Sequence, residues 1–485
     1  MYYIGIDLGT SSAKGILDDK KGNILNEKSV EYPVLRPHDG WSEQNPCDWL
    51  SAAENILAQL SDGITEEIAG ISFGGQMHGL VLLDESDNVI RPAILWNDGR
   101  TQKQTDYLNN VIGKKRLSEL TANIAFAGFT APKILWVKEN EPQNFGRISK
   151  IMLPKDYLAY MLTGVFSTDY SDASGMLLLD VKNKCWSEEM CDICGITKDM
   201  LPKLYESYDV IGRPHKKYNL PNAVVTAGAG DNAAAAIGTG TIKNGDCNIS
   251  LGTSGTVFIS GDKFVPERNN ALHSFAHATG KWHLMGCILS AASCNKWWIE
   301  DILKTEDYAG QTKNCDCLLG RNNVYFLPYL MGERSPHNDV DARGAFIGIS
   351  ADTSREQMSL AVLEGVAFAL RDCTEAAKQS GLNIISTNIC GGGARSAIWK
   401  NIIANVLNVD VCSLATEQGP AYGAAILAMT GAGEYKSIDD AVNNTVSVTS
   451  VVSPSPEIVE LYDKKYKVFR SLYPALKDIF HDMRA

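Results

Sequence analysis

The chain has 485 residues, 45% of them hydrophobic and 21% charged, and carries a formal net charge of −12. That length allows two or three domains and excludes a single small module, while the acidity excludes the basic patches through which nucleic acids and anionic membranes are bound. Twelve irregularly spaced cysteines suit reduced thiols and a cytoplasmic location; no basic-then-apolar leader is read before the first strand, and no apolar run is long enough for a membrane span.

Strands and helices alternate from the start, which predicts α/β layering. A strand at 3–6 runs into Asp7-Leu8-Gly9-Thr10-Ser11-Ser12. Such a turn presents backbone N–H groups and hydroxyls to phosphate oxygens without adding positive charge. Asp7 is tolerable beside those oxygens when a divalent cation lies between them, and magnesium, with its preference for oxygen ligands, suits that place. A helix is predicted over 49–60 and a strand over 69–73, followed by Gly74-Gly75-Gln76-Met77-His78-Gly79. With Trp96-Asn97-Asp98-Gly99-Arg100, these residues offer hydrogen-bonding groups and a flat indole to a polyhydroxylated ligand.

A strand at 223–227 leads into Gly228-Ala229-Gly230-Asp231-Asn232 and an alanine-rich helix. Two readings compete there. Gly228, Gly230 and Ala233, with Asp246 downstream, match the dinucleotide fingerprint of a nicotinamide oxidoreductase, yet that fingerprint belongs to the first βα unit of a domain. Alternatively, Asp231 stands at a helix N-terminus facing a cleft, as an N-cap, as a general base for a substrate hydroxyl, or as both.

The second half echoes the first. A strand at 248–251 ends in Leu251-Gly252-Thr253-Ser254, with Ser250 where the first copy has Asp7. A strand at 388–390 precedes Gly391-Gly392-Gly393-Ala394-Arg395, which echoes Gly74-Gly75-Gln76 and whose glycines let a nucleoside approach the backbone. The small-residue run at 419–425 echoes the one at 230–236. Three echoes in one order predict two related halves, 1–243 and 244–485, each carrying a glycine turn after its first strand. A further strand is expected at 282–285, and helices at 355–377, 399–406 and 456–473. His273 and His277 flank a hairpin signal at Thr279-Gly280 and lack the glutamate of a zinc helix. The pairs Cys191/Cys194 and Cys315/Cys317 are too irregular for a four-cysteine zinc site. There is no P-loop pattern.

Two longer runs complete the picture. Gly128-Phe129-Thr130-Ala131-Pro132-Lys133-Ile134-Leu135-Trp136, and Gly344-Ala345-Phe346-Ile347-Gly348-Ile349 followed by Glu364-Gly365, resemble the two signatures of the FGGY carbohydrate kinases, and the similarity extends from Ile4 to about Ala428. Met77-His78 stand where the glycerol-specific members carry Arg-Glu. The resemblance implies an α/β fold of two ribonuclease-H-like domains of actin/hexokinase type, related by internal duplication, with an interdomain cleft. It implies Asp231 as catalytic base, Asn232 beside it on the sugar, and Met77 and His78 lining the sugar site. Asp7 and Thr10 would form the first phosphate turn, with Asp7 near Mg²⁺ through water. Gly252 and Thr253 would form the second turn, and Gly392, Gly393 and Ala394 would flank the nucleoside of ATP. Ser396 stands where some members carry asparagine. The implied reaction is ATP-dependent phosphorylation of D-xylulose at O5. Kinases of another ketose, a polyol or a sugar acid, and a non-catalytic actin-like sugar/ATP switch, are the alternatives. The expected partners are a ketose and ATP, with a homodimer left open.

Overall fold

Each Leu-Gly-Thr-Ser turn lies at the tip of a β-hairpin in the middle of its own sheet. The computed structural model describes residues 1–266, 269–416 and 418–483. They form two compact units, one of residues 1–242, 274–283 and 418–446, the other of the remaining described residues. The first sheet is built from β1 (Tyr2–Leu8), β2 (Ser12–Asp19), β3 (Ile24–Glu31), β4 (Ile68–Gly75), β5 (Val210–Gly212) and β6 (Val224–Thr226), in the order β5–β6–β4–β1–β2–β3, and the short β7 (Ala229–Gly230) also pairs with β4. The second sheet contains β8 (Asp246–Leu251), β9 (Gly255–Gly261), β10 (His273–Ala276), β11 (Trp282–Ile288), β12 (Ser386–Cys390), β13 (Asp410–Leu414) and β14 (Val448–Val452), in the order β10–β11–β9–β8–β12–β13–β14.

The pairing pattern repeats. β1 is antiparallel to β2 and parallel to β4, just as β8 is antiparallel to β9 and parallel to β12. Register places Asp7 opposite Lys14 and Gly74, and Ser250 opposite Thr256 and Cys390. Asp7 and Ser250 thus occupy corresponding positions of one duplicated framework. This is the two-domain α/β fold that the echoes predicted.

The helices follow from caps and apolar spacing. α1 (Pro46–Ser61) starts with Asn45, whose Oδ1 accepts from the Cys47 N–H, and has proline in its first turn. It buries Trp49, Ala52, Ala53, Ile56, Leu57 and Leu60, one helical face. α2 (Thr130–Asn140) and α3 (Pro154–Thr163) follow, then α4 (Asp231–Gly238) at the exit of β7. In the second unit α5 (Arg355–Gln379) opens with a capping box, in which Ser354 N–H donates to Gln357 Oε1 and Gln357 N–H to Ser354 Oγ. α6 (Ala397–Leu407) is capped by Ser396, whose Oγ accepts from Trp399 N–H, so serine has a local structural task there. α7 (Gly419–Gly431) belongs to the first unit. α8 (Pro456–Asp482) runs through Pro474, where the sequence predicts a stop, because Phe469 and Tyr473 before the proline and Phe480 after it are all buried.

The break falls after residue 242, one residue before the expected boundary, and two later segments, 274–283 and 418–446, return to the first unit. The small residues of α7 are the physical reason for the second. A Cβ on Gly5 of β1 would lie 2.0 Å from the Ala421 carbonyl oxygen, and one on Gly70 of β4 would lie 2.7 Å from that of Ala428. α7 also packs on α4: a Cβ on Gly423 would sit 1.7 Å from the Ala234 oxygen. The echoed small-residue runs at 230–236 and 419–425 are the two faces of this helix contact. Among the described residues no helix is long and apolar enough to cross a membrane.

Candidate active site

In the first unit β4 and β7 end side by side, with Gly74 opposite Ala229 and Gly75 opposite Gly230. Gly228 makes this possible: its φ is +75°, and a Cβ there would lie 2.4 Å from the Phe73 oxygen. Gly230 packs against the Met77 side chain, where a Cβ would lie 3.0 Å from Cγ. The glycines of the dinucleotide-like string therefore serve close strand and side-chain approach.

Asp231 follows as the first residue of α4, with Gly230 at the N-cap position. Its Oδ1 accepts from the Asn232 backbone N–H at 2.7 Å and from Asn232 Nδ2 at 3.0 Å. Asn232 Nδ2 also lies 4.0 Å from Met77 Sδ, which joins the predicted sugar residues 77, 231 and 232. Burial pushes the Asp231 carboxyl up to about 6, against the Asn232 N–H, which favours the anion. Asp7, at the end of β1, is pushed up to about 7 by burial and then by the Asp231 carboxylate, with Lys14 opposing. Asp7 Oδ1 is buried without a hydrogen-bond partner. The Asp231 carboxylate is near enough to act on Asp7, and Asp7 holds an oxygen without a partner, a donor set that suits a hard divalent cation.

Thr10 lies in the first turn. Its Oγ1 accepts from Trp96 Nε1 at 3.0 Å and donates to Gln76 Oε1 at 3.1 Å, and its carbonyl accepts from Gln44 Nε2 at 2.6 Å. His78 is left-handed, with φ +71°, and its Nδ1–H donates to the Gly175 carbonyl at 2.8 Å. Asp98 and Arg100 form a brace. Arg100 is paired with Asp98 and Glu43 at 2.7 and 2.6 Å and lies 3.6 Å over the Trp41 ring, in a buried brace.

The second unit holds the other predicted residues together. Gly252 and Thr253 form the turn between β8 and β9, with their carbonyls accepting from the N–H groups of Ala292 and Ala291. Gly392, Gly393 and Ala394 lie in a short 3₁₀ turn after β12. Gly391, with φ +85°, and Gly393 press on Leu251, the residue before the second turn: an added Cβ at either would lie 2.8 Å from it. The predicted phosphate and nucleoside turns are therefore neighbours.

One buried cluster has no counterpart in the sequence reading. Lys155, fully buried at the start of α3, pairs with Asp156 at 2.7 Å, Asp169 at 2.9 Å and Asp172 at 3.7 Å. Burial alone would push its ammonium down, but the three carboxylates outweigh that and raise it. Burial raises the Asp156 and Asp172 carboxyls. Asp169 also holds Ser171 and Ser207 hydroxyls, and Ser171 Oγ accepts from Gly230 N–H at 3.2 Å. The cluster thus braces the backbone immediately before Asp231. Its members are scattered over 155–207, so no spacing betrays them. His277 Nε2–H donates to the Thr241 carbonyl at 2.9 Å, and a metal-competent group among the described residues is Asp339, Asp341 and His481.

The chain matches the model of the FGGY carbohydrate kinase N-terminal domain over residues 2–238 and that of the C-terminal domain over 247–432. It belongs to the FGGY family of carbohydrate kinases. The xylulose kinase of Lactococcus lactis is 41% identical over 99% of this chain and 98% of its own. Among solved structures, the xyloylose kinase of Brucella ovis shares 38% identity over 99% of this chain and all of its own, with a TM-score of 0.93. The gluconate kinase of Lactobacillus acidophilus superposes with a TM-score of 0.94 at 26% identity, covering 99% of both chains.

Proposed function

We propose that the protein phosphorylates D-xylulose at O5 with ATP, using Asp231 as general base. The single observation that carries the choice of sugar is the 41% identity to a xylulose kinase along the whole chain. Backbone similarity does not choose, since the gluconate kinase superposes equally well. In this reading the sugar lies against Met77, His78 and Asn232, and its terminal hydroxyl gives its proton to an Asp231 oxygen as the alkoxide attacks the γ-phosphorus. Asn232, through two hydrogen bonds to one Asp231 oxygen, fixes the carboxylate and leaves the other oxygen for the proton. Thr10 and Gly252 bind phosphate oxygens through backbone N–H groups and Thr253 through its N–H and hydroxyl, the Thr10 hydroxyl being engaged with Gln76 and Trp96, and Gly392, Gly393 and Ala394 bind the nucleoside. Asp7 would hold Mg²⁺, which would supply charge neutralisation on the phosphates when bound. Burial raises the proton affinity of Asp231, which suits a base that must take a proton from an alcohol and release it near neutrality. Incubation with ATP, Mg²⁺ and a panel of ketoses, polyols and sugar acids, followed by mass detection of the phosphosugar, tests the proposal. D-xylulose 5-phosphate as the preferred product is expected, and preferred phosphorylation of gluconate or ribulose overturns it. ATP hydrolysis without any phosphosugar would favour the switch reading.

A further inference from the structure

We propose that Lys133 is a positioning residue for the sugar side of the site, acting through the backbone of His78. The proposal rests on the reading of Met77 and His78 as sugar-lining. His78 has φ +71°, a conformation that a non-glycine residue keeps only where its surroundings over-determine it. Its carbonyl oxygen accepts two hydrogen bonds from the start of α2, from Lys133 Nζ at 2.8 Å and Thr130 Oγ1 at 3.1 Å. Lys133 Nζ donates also to the Gly128 carbonyl at 2.7 Å. The ring is held separately: Nδ1–H donates to the Gly175 carbonyl, and the imidazole stacks on Phe129 with centroids 4.6 Å apart. On the far side of the peptide, Gly79 abuts Pro154, where a Cβ would lie 2.5 Å from the proline Cγ.

Space-filling does not explain a lysine here. Lys133 is fully buried, and burying an amine is costly where a methionine of similar length would fill the same volume. Burial pushes its amine well below the ordinary lysine range, and its Nζ donates to the His78 and Gly128 carbonyls. Lys133 thus ties two loops that meet at the sugar residues: Gly128 before α2, and the left-handed turn after β4.

Steady-state kinetics of Lys133→Met, with D-xylulose and ATP varied separately, tests this. The expected result is a rise in KM for D-xylulose of about tenfold or more, the worth of one buried hydrogen bond, with KM for ATP nearly unchanged. A crystal structure of the variant should show His78 out of the left-handed region. In a His78→Gly background, where glycine holds a positive φ without strain, the same substitution should add little. Thr130→Val, which removes the milder donor, should raise KM for D-xylulose less and serves if Lys133→Met does not fold. An unchanged φ at His78, an equal penalty in the glycine background, or a lowered Tm with both KM values unaffected overturns the proposal. Wild-type enzyme that ignores D-xylulose overturns the sugar reading instead, and the φ of residue 78 still decides the role of Lys133.

Discussion

Replacing Asp231 by asparagine keeps the shape of the side chain and the Asn232 contacts but removes the group that accepts the proton. Burial places the carboxyl at about 6, so about 97% is ionised at pH 7.5 and about 9% at pH 5. In the wild type, kcat at saturating sugar and nucleotide should therefore fall about tenfold between those limits. Because Asp7 shares the site, the apparent value belongs to the pair. Asp231→Asn should cost at least about a hundredfold in kcat, the lower bound for a positioned general base, and the residual rate should lose the acid limb. A coupled ADP-release assay from pH 5 to 8 measures both, with sugar binding by calorimetry as the control for folding. A variant retaining more than a tenth of the wild-type kcat, or a wild-type rate flat to pH 5, would refute the assignment and leave Asp231 a helix-terminal residue.

Asp7→Asn should weaken catalysis and raise the Mg²⁺ requirement, yet stabilise the metal-free protein. The folded state holds the Asp7 proton more tightly than the unfolded chain, so stability is lost as pH rises from about 4 to 7. A shift from 3.8 to about 7 sets an upper limit of about 4 kcal/mol, and urea unfolding should show an advantage at pH 8 that shrinks toward pH 4; equal midpoints at pH 8 would sink the idea. Gly423→Ala should destabilise the first unit by at least about 1–3 kcal/mol, since the new methyl overlaps the Ala234 carbonyl. An unchanged Tm would mean that α4 and α7 can part without loss.

Local chemistry made much of this molecule readable. The two Leu-Gly-Thr-Ser turns, the glycine turn after β12 and the Asp231 helix follow from short-range rules about turns and caps, and they lie where those rules put them. The small-residue run at 419–425 was visible as an echo, but its partner was not, because helix-to-strand contact with Gly5 and Gly70 leaves no local signal. The Lys155 cluster was hidden for the same reason: its carboxylates come from positions 156, 169 and 172, and only the fold brings them to one ammonium. Asp98 and Arg100 looked available to a ligand since charge reads as exposure in a sequence. In the fold Arg100 packs on the Trp41 face and pairs with Asp98.

The seating of α7 against the opening strands has a consequence for biogenesis. Gly5 emerges from the ribosome more than four hundred residues before Ala421, the neighbour that covers it. Until then Gly5 and Gly70 leave the first sheet's backbone uncovered, so its final closure is a late, long-range event that waits on nearly complete synthesis. A nascent or truncated chain ending near 243 would keep every group assigned to the sugar and lack the helix that holds β1 and β4 in place.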